Sequence, residues 1–409
     1  MTQQGPILVV SHAPQRSLVG LLDDAKLFPL LETDWTEAAR AVEQVEPAAV
    51  LVAISETGAA DLTRLAARIA ARKLYTPLIA VEPGGPLPPN AIPFIQGRGS
   101  LDRLLPRLRA ALRVRALHAT VLRRLADEAA STRLPQDDPL TEATVLLMGR
   151  GGSYPALSVA LGERMSIAGA LGMEAAGKQL NSRDIDGIVL SEGFTARVVD
   201  AFLTVLSENA RFRNLPVVLT TAELAPGYDL PNLEILMGEP GQIATNAAPL
   251  IRQHALEARL SRTLRAIDAG GRIDPQTGLL TQPAFDREFA IAIGQTLAAG
   301  GGLAAARFAF EGAPARAQLD GARIISHMMR QMDFGTMRPD SSVVIVFAET
   351  DLRAAHTIAR RLSSVIRQTS HGAGHARFEP ALSVATLQPS DTAASLLARL
   401  DRDPRRAVS

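Results

Sequence analysis

The chain contains no cysteine, which excludes disulfides, thiolate metal sites and cysteine nucleophiles. Lysine is almost as scarce: three Lys stand against forty Arg, a bias that reads as base composition of the gene rather than as chemistry. Net charge is nearly missing too. Lys plus Arg is 43 and Asp plus Glu is 42, so no bulk field draws in nucleic acid or an anionic membrane, and any anion site must be local. No apolar run approaches the roughly 18 residues that span a bilayer, and residues 1–6 bring no basic segment ahead of a signal-type core. A cytoplasmic protein is expected, with no nucleic-acid partner and no membrane insertion.

What is present is ordinary globular composition, 47% apolar and 21% charged. At about 100 to 200 residues per domain, 409 residues make two or three domains. The first segment alternates apolar runs, Ile7 to Val10, Val50 to Ile54 and Leu78 to Val81, with helix-length stretches at Ser17–Phe28, Thr36–Gln44 and Ala60–Lys73. That alternation predicts a doubly wound α/β unit. A fourth strand near Ile92–Ile95 is weakened by Pro93, and an Arg-rich helix follows over Leu101–Ala130, interrupted at Pro106. The Pro-bearing stretch Ser131–Thr141 reads as a linker.

The pattern then repeats, with runs at Val145–Met148, Gly187–Leu190, Pro216–Leu219 and Leu233–Leu236. Helices are expected at Pro155–Ile167, Thr195–Asn209 and, as a stalk, Gly241–Ala269. The predicted division is 1–130, a linker 131–142, 143–269 and 270–409.

Segment lengths, strand order and a Pro before the run in the place of a receiver's fourth strand (Pro77, Pro216) make both segments resemble receiver domains of bacterial response regulators, a flavodoxin-like fold. The receiver chemistry is not carried with it. The acidic pair falls on Ser11 and His12, the phosphoacceptor on Ala53, the hydroxyl on Val81 and the Lys near Gln96. In the second segment those positions are Gly149 and Arg150, Ser191, Thr221 and the region of Glu239, and only Thr221 fits. Without carboxylates there are no hard oxygen ligands for magnesium. Both segments are therefore read as pseudo-receivers. Gly149 to Gly152 lacks the Lys and hydroxyl of a Walker loop and reads as a strand-end turn.

From Asp274 to Phe285 the chain resembles the opening signature of GGDEF domains, the diguanylate cyclase family. The resemblance implies a nucleotidyl cyclase, ferredoxin-like fold over about 130 residues. That family joins two GTP with metal held by two carboxylates. Here the first-strand position is Ala309, and the signature pentapeptide is Pro339, Asp340, Ser341, Ser342, Val343. About eleven residues of the guanine-binding segment are missing after Glu311. Neither Glu311 nor Asp340 alone can hold two metals, so no catalytic residue, no metal and no cofactor are expected.

What the resemblance retains is an Arg-x-x-Asp site for cyclic di-GMP: Arg330 and Asp333, ending five residues before the degenerate signature, with Arg361 on the following helix. A guanidinium fork reads guanine N7 and O6, and a carboxylate accepts from N1 and N2. Arg-x-x-Asp also begins at Arg124, Arg183, Arg197 and Arg265, and on a helix it is commonly a solvated ion pair.

His371 and His375 flank Gly residues and read as a loop rather than a metal site. Asp401 to Arg406 reads as a polar tail. The arrangement resembles PleD/PopA-like response regulators and implies a non-catalytic cyclic di-GMP receptor that recruits protein partners in cell-cycle signalling, with recruitment to a cell pole. A homodimer is expected through the helices at Arg103–Arg124 and Leu250–Arg265. The alternatives are a nucleotide-independent dimeric scaffold and a residual diguanylate cyclase.

Overall fold

Fifteen of the seventeen residues in strands β1 (Ile7–Val10), β3 (Ala49–Ala53), β4 (Leu78–Val81) and β5 (Ala91–Phe94) are aliphatic, so neither face of their sheet can be left to water. The computed structural model, which describes residues 5–12, 16–24, 29–53, 59–95, 101–127, 134–221, 228–371 and 376–402, covers both faces with helices. Between the strands run α1 (Arg16–Asp24), β2 (Leu30–Thr33), α2 (Ala38–Val45) and α3 (Ala59–Ala70), and α4 (Leu104–Asp127) closes the unit. Ile7, Val9, Leu51 and Ile79 point to one core and Leu8, Val10, Val50 and Val52 to the other. The sheet is parallel, ordered β2-β1-β3-β4-β5.

The second unit repeats this plan with β6 (Thr144–Met148), α5 (Tyr154–Gly162), β7 (Ser166–Ala170), α6 (Met173–Ser182), β8 (Gly187–Leu190), α7 (Ala196–Glu208), β9 (Val217–Leu219), β10 (Leu233–Ile235) and α8 (Pro240–Asp268). Its order, β10-β9-β8-β6-β7, is the same 2-1-3-4-5 read from the other edge, the flavodoxin-like winding.

The third unit is built differently. After α9 (Gln282–Ala299) come β11 (Leu303–Ala309), α10 (Ala315–Met328), β12 (Phe334–Met337), β13 (Val343–Ala348), α11 (Leu352–Arg367), a small hairpin β14 (Thr369–His371) and β15 (Ala376–Arg377), β16 (Ala381–Thr386) and α12 (Ala393–Arg402). Its four-stranded antiparallel sheet, β12-β13-β11-β16, has the βαββαβ succession of ferredoxin-like folds. The turn entering it is set by Asp274, whose carboxylate accepts from the Gln276 and Thr277 N–H groups, both at 3.2 Å, and from Thr277 Oγ1 at 2.6 Å. Gly278 follows with φ +76°, where a Cβ would lie 2.9 Å from Ser326 Oγ.

Several expectations need correction. Pro93 lies inside β5, tolerated because β5 is an edge strand with one ladder to β4. Pro106 sits in the first turn of α4 and interrupts nothing. Strand β2 was not expected. The helix expected to reach Ile167 ends at Gly162, and Ser166–Ala170 is a strand followed by the unpredicted α6. The linker closes in a 3-10 turn, Pro139–Glu142, with Leu140 buried. Asp401 and Arg402 belong to α12 rather than to a tail, and residues 403–406 lie outside the described residues, as do Gln96 and His375. The hairpin β14–β15 leaves its own unit and pairs antiparallel with β7, extending the second sheet to seven strands.

The helices expected to form dimer faces pack on each other within the chain. Arg113–Glu257 at 2.9 Å and Arg124–Asp268 at 3.4 Å are both 144 residues apart, so α4 and α8 run parallel. Val114 and Val121 meet Leu260 between them, flanked by Leu117, Leu256 and Leu264. Below this seam Arg107 and Glu234, neither exposed, pair at 2.8 Å, and Arg107 also donates to the carbonyls of Pro93, Pro231 and Leu233. No helix among the described residues is long and apolar enough to cross a membrane.

Candidate functional site

In the parallel units the C-terminal strand ends are where doubly wound sheets bind ligands. Ala53 ends β3 without a polar atom in its side chain. Ser191, after β8, is buried, and its Oγ lies 2.8 Å from Ser153 Oγ; Glu192 accepts from the Ser153 N–H at 3.0 Å. A cavity of about 240 Å³ adjoins them, lined also by Phe194 and Thr221. Ser191 is thus a partnered hydroxyl with no base within its hydrogen bonds.

In the third unit, Ala309 ends β11 against Ala381, 3% exposed. The hairpin between β12 and β13 turns through Pro339, Asp340 and Ser341, with Ser341 at φ +62° and Arg338 N–H donating to Ser342 O at 2.8 Å. This is the three-residue loop in which a left-handed residue follows a type I turn, and Pro339 holds its first position. Asp340 Oδ1 accepts from Ser342 N–H at 2.9 Å and Oγ at 2.7 Å, while Oδ2 pairs with Arg307 Nη2 at 3.0 Å. Burial pushes the Asp340 carboxyl up, but Ser342 and Arg307 outweigh it and hold it below its ordinary value. Asp401, from α12, takes Arg338 at 2.7 Å and Arg307 at 3.4 Å. Ser342 and Val343 are buried. The two acids nearest the hairpin are therefore committed to arginine. Among the described residues no three His, Asp or Glu side chains are grouped to hold a metal ion.

Arg330 to Asp333 lies beyond α10, which stops at Met328, and the four residues form a turn rather than a helical ion pair. Asp333 N–H donates to Arg330 O at 3.0 Å, and Asp333 Oδ2 accepts from the Arg330 N–H at 3.3 Å. The two residues are brought together by a backbone bond and by the Asp333 carboxylate on the Arg330 N–H, and their side chains form no ion pair. The Arg330 guanidinium is exposed; Asp333 is buried, with Oδ1 lacking a partner of good geometry. Burial pushes the Asp333 carboxyl above its ordinary value against the pull of Arg330. Arg361 lies on the exposed side of α11, beyond Ala355 and Ala359 on the buried side, and joins neither residue by hydrogen bond or ion pair.

Sequence reasoning missed a charged hub at the junction of the second and third units. Glu142 receives Arg259 at 2.8 Å, Arg323 at 2.6 Å and Arg262 at 3.6 Å, linking the 3-10 turn, the stalk α8 and α10. Burial raises its carboxyl, and Arg323, Arg259 and Arg262 together hold it below its ordinary value. Nearby, Arg183, 1% exposed, donates to Val365 O at 2.8 Å and lies 3.7 Å from Asp320. The signal was present as a Glu ending a polar linker, but contacts across more than 100 residues leave no periodic trace.

The fold so defined is two flavodoxin-wound units joined to a ferredoxin-like antiparallel unit. No family model matches the chain, and no curated protein matches it. Among solved structures, a sensory box/GGDEF family protein from Caulobacter crescentus is similar at 22% identity over 32% of this chain and 93% of its own, TM-score 0.28. The GGDEF domain of DgcB from the same organism, in complex with c-di-GMP, is similar at 14% identity over 32% and 83%, TM-score 0.30. The FimX GGDEF domain from Pseudomonas aeruginosa is similar at 18% identity over 32% and 91%, TM-score 0.30. These likenesses concern about a third of the chain.

Proposed function

We propose that the chain is a non-catalytic cyclic di-GMP receptor that acts as an adaptor, holding the ligand through Arg330, Asp333 and Arg361 and presenting surfaces to protein partners. The observation that carries the reading is the Arg330–Asp333 turn. One backbone hydrogen bond, Asp333 N–H to Arg330 O, and one from the Arg330 N–H to the Asp333 carboxylate fix it, the guanidinium stands in solvent with no ion pair among the described residues, and the carboxylate beside it is buried within the turn. A guanidinium fork facing a purine edge, with an acceptor one turn away, suits guanine. The reading that cyclase chemistry is lost is supported by Ala309 and by the capture of Asp340 and Asp401 on Arg307 and Arg338. Receiver-type phosphorylation is likewise read as lost, given Ala53 and the partnered Ser191.

Calorimetric titration of the full chain with cyclic di-GMP tests this. Saturable binding in the wild type, weakened at least tenfold (about 1.4 kcal/mol) by Arg330→Ala and by Arg361→Ala, is the expected result; equal heats from the wild type and Arg330→Ala sink the assignment. Product formed from GTP and magnesium would restore the cyclase reading. A second reading, a nucleotide-independent scaffold, draws on the buried Arg107–Glu234 pair and the α4–α8 seam, which fix the first two units without a ligand.

A further inference from the structure

A cavity of about 170 Å³ lies beside the stalk, lined by Arg183, Arg211, His254, Arg262 and Arg265. Two acids also line it, Asp184 and Asp186; Asp186 is engaged, and Asp184 is exposed to solvent. Asp186 Oδ2 accepts from the Thr144 N–H at 2.9 Å and its Oδ1 lies 3.5 Å from His254, while Asp184 faces His327 at 3.9 Å. The arginines are less well matched. Arg262 shares Glu142 with the two closer guanidinium groups of Arg259 and Arg323. Arg265 donates only to the Ser261 carbonyl, at 3.4 Å. Arg211 contacts His327 Nε2 at 3.3 Å and lies over the Phe212 ring. Neither has a carboxylate partner among the described residues.

Buried donors point the same way. Arg183 and Arg262 are 1% and 9% exposed, and the Nε atoms of both have no hydrogen-bond partner. Unpaired guanidinium N–H groups in a closed space are costly, and a tetrahedral oxyanion satisfies several of them at once. Burial, with Arg323 adding to it, pushes Arg262 down to about 10 against the pull of Asp186, Asp184 and Glu142, the direction expected of a buried guanidinium beside a second one. The volume equals on the order of six waters at ~30 Å³ each, which admits a phosphate group.

We propose that this cavity binds a phosphate group, with Arg183 and Arg262 at its floor and Arg211 and Arg265 at its rim. The ligand is either orthophosphate or a monoester whose remainder lies outside. Because Arg183 also holds α10 and α11 through Asp320 and Val365, the anion ties the second unit to the third. The proposal does not depend on cyclic di-GMP binding.

The test is calorimetry on the full chain with sodium phosphate, and separately with 5′-GMP, at ionic strength held constant by sodium chloride. One phosphate per chain should bind saturably. Arg211→Gln/Arg265→Gln, which changes two exposed side chains, should weaken it at least tenfold while leaving the thermal midpoint without phosphate unchanged. Arg330→Ala should leave it intact. Binding of orthophosphate alone assigns the free anion, and equal binding of 5′-GMP assigns the ester. Heats that follow ionic strength without saturation, or undiminished binding by the double variant, overturn the site.

Discussion

Arg183 to Asp186 and Arg330 to Asp333 share one four-residue pattern and end in opposite surroundings. Arg183 is buried at a seam between units and tied to Asp320 and Val365, and its Asp186 caps the start of β6. Arg330 stands in solvent on a turn held by its own backbone N–H and carbonyl. The remaining copies differ again: Arg124 and Asp268, taken from separate copies, pair with each other across α4 and α8. Placement, not spelling, decides what such a motif does, and only tertiary contacts reveal placement.

The contrast can be broken by substitution. Arg183→Ala should cost about 3 kcal/mol, the usual consequence of removing one partner from a buried ion pair, and should lower the denaturant midpoint; an unchanged midpoint would erase the distinction between the two copies. Glu142→Gln should cost slightly less, about 2 to 3 kcal/mol at pH 7. Its sign with pH is fixed. A carboxyl held below its ordinary 4.5 in the folded state contributes stability that is present above that value and lost as pH falls through the folded one. Wild-type and Gln variants should therefore converge in urea melts as pH drops below 4.5.

Smaller effects sharpen the Arg330 side. Asp333 is raised above its ordinary 3.8, so its ionisation works against the fold as pH rises through that value toward the folded one. Asp333→Asn should gain midpoint at pH 7 and lose that gain near pH 3; a loss at both would show that the carboxylate holds the turn. Arg330→Ala should move stability by less than about 0.5 kcal/mol while removing cyclic di-GMP binding, and a large drop in melting temperature would make Arg330 structural.

Much of the fold was legible because buried parallel strands announce themselves. Val50 to Val52 and Leu78 to Val81 have no polar option and no alternative face. The miss at Ser166–Ala170 has the opposite cause: its Ser, Ala and Gly carry little pattern, and the preceding helix propensity ran on until packing against β6 stopped it. The Asp274 turn and the emptied hairpin were readable from residue type and spacing. The Arg307–Asp340–Asp401 and Glu142 networks were not, since each joins side chains from distant segments whose geometry exists only after folding.

The parallel course of α4 and α8 has one more consequence. Two similar halves that in separate chains would meet by collision are here joined covalently, so their encounter is unimolecular and dilution cannot part them. Their association is set by the linker at an effective concentration independent of how much protein the cell makes, which leaves abundance free to vary without switching that pairing on or off.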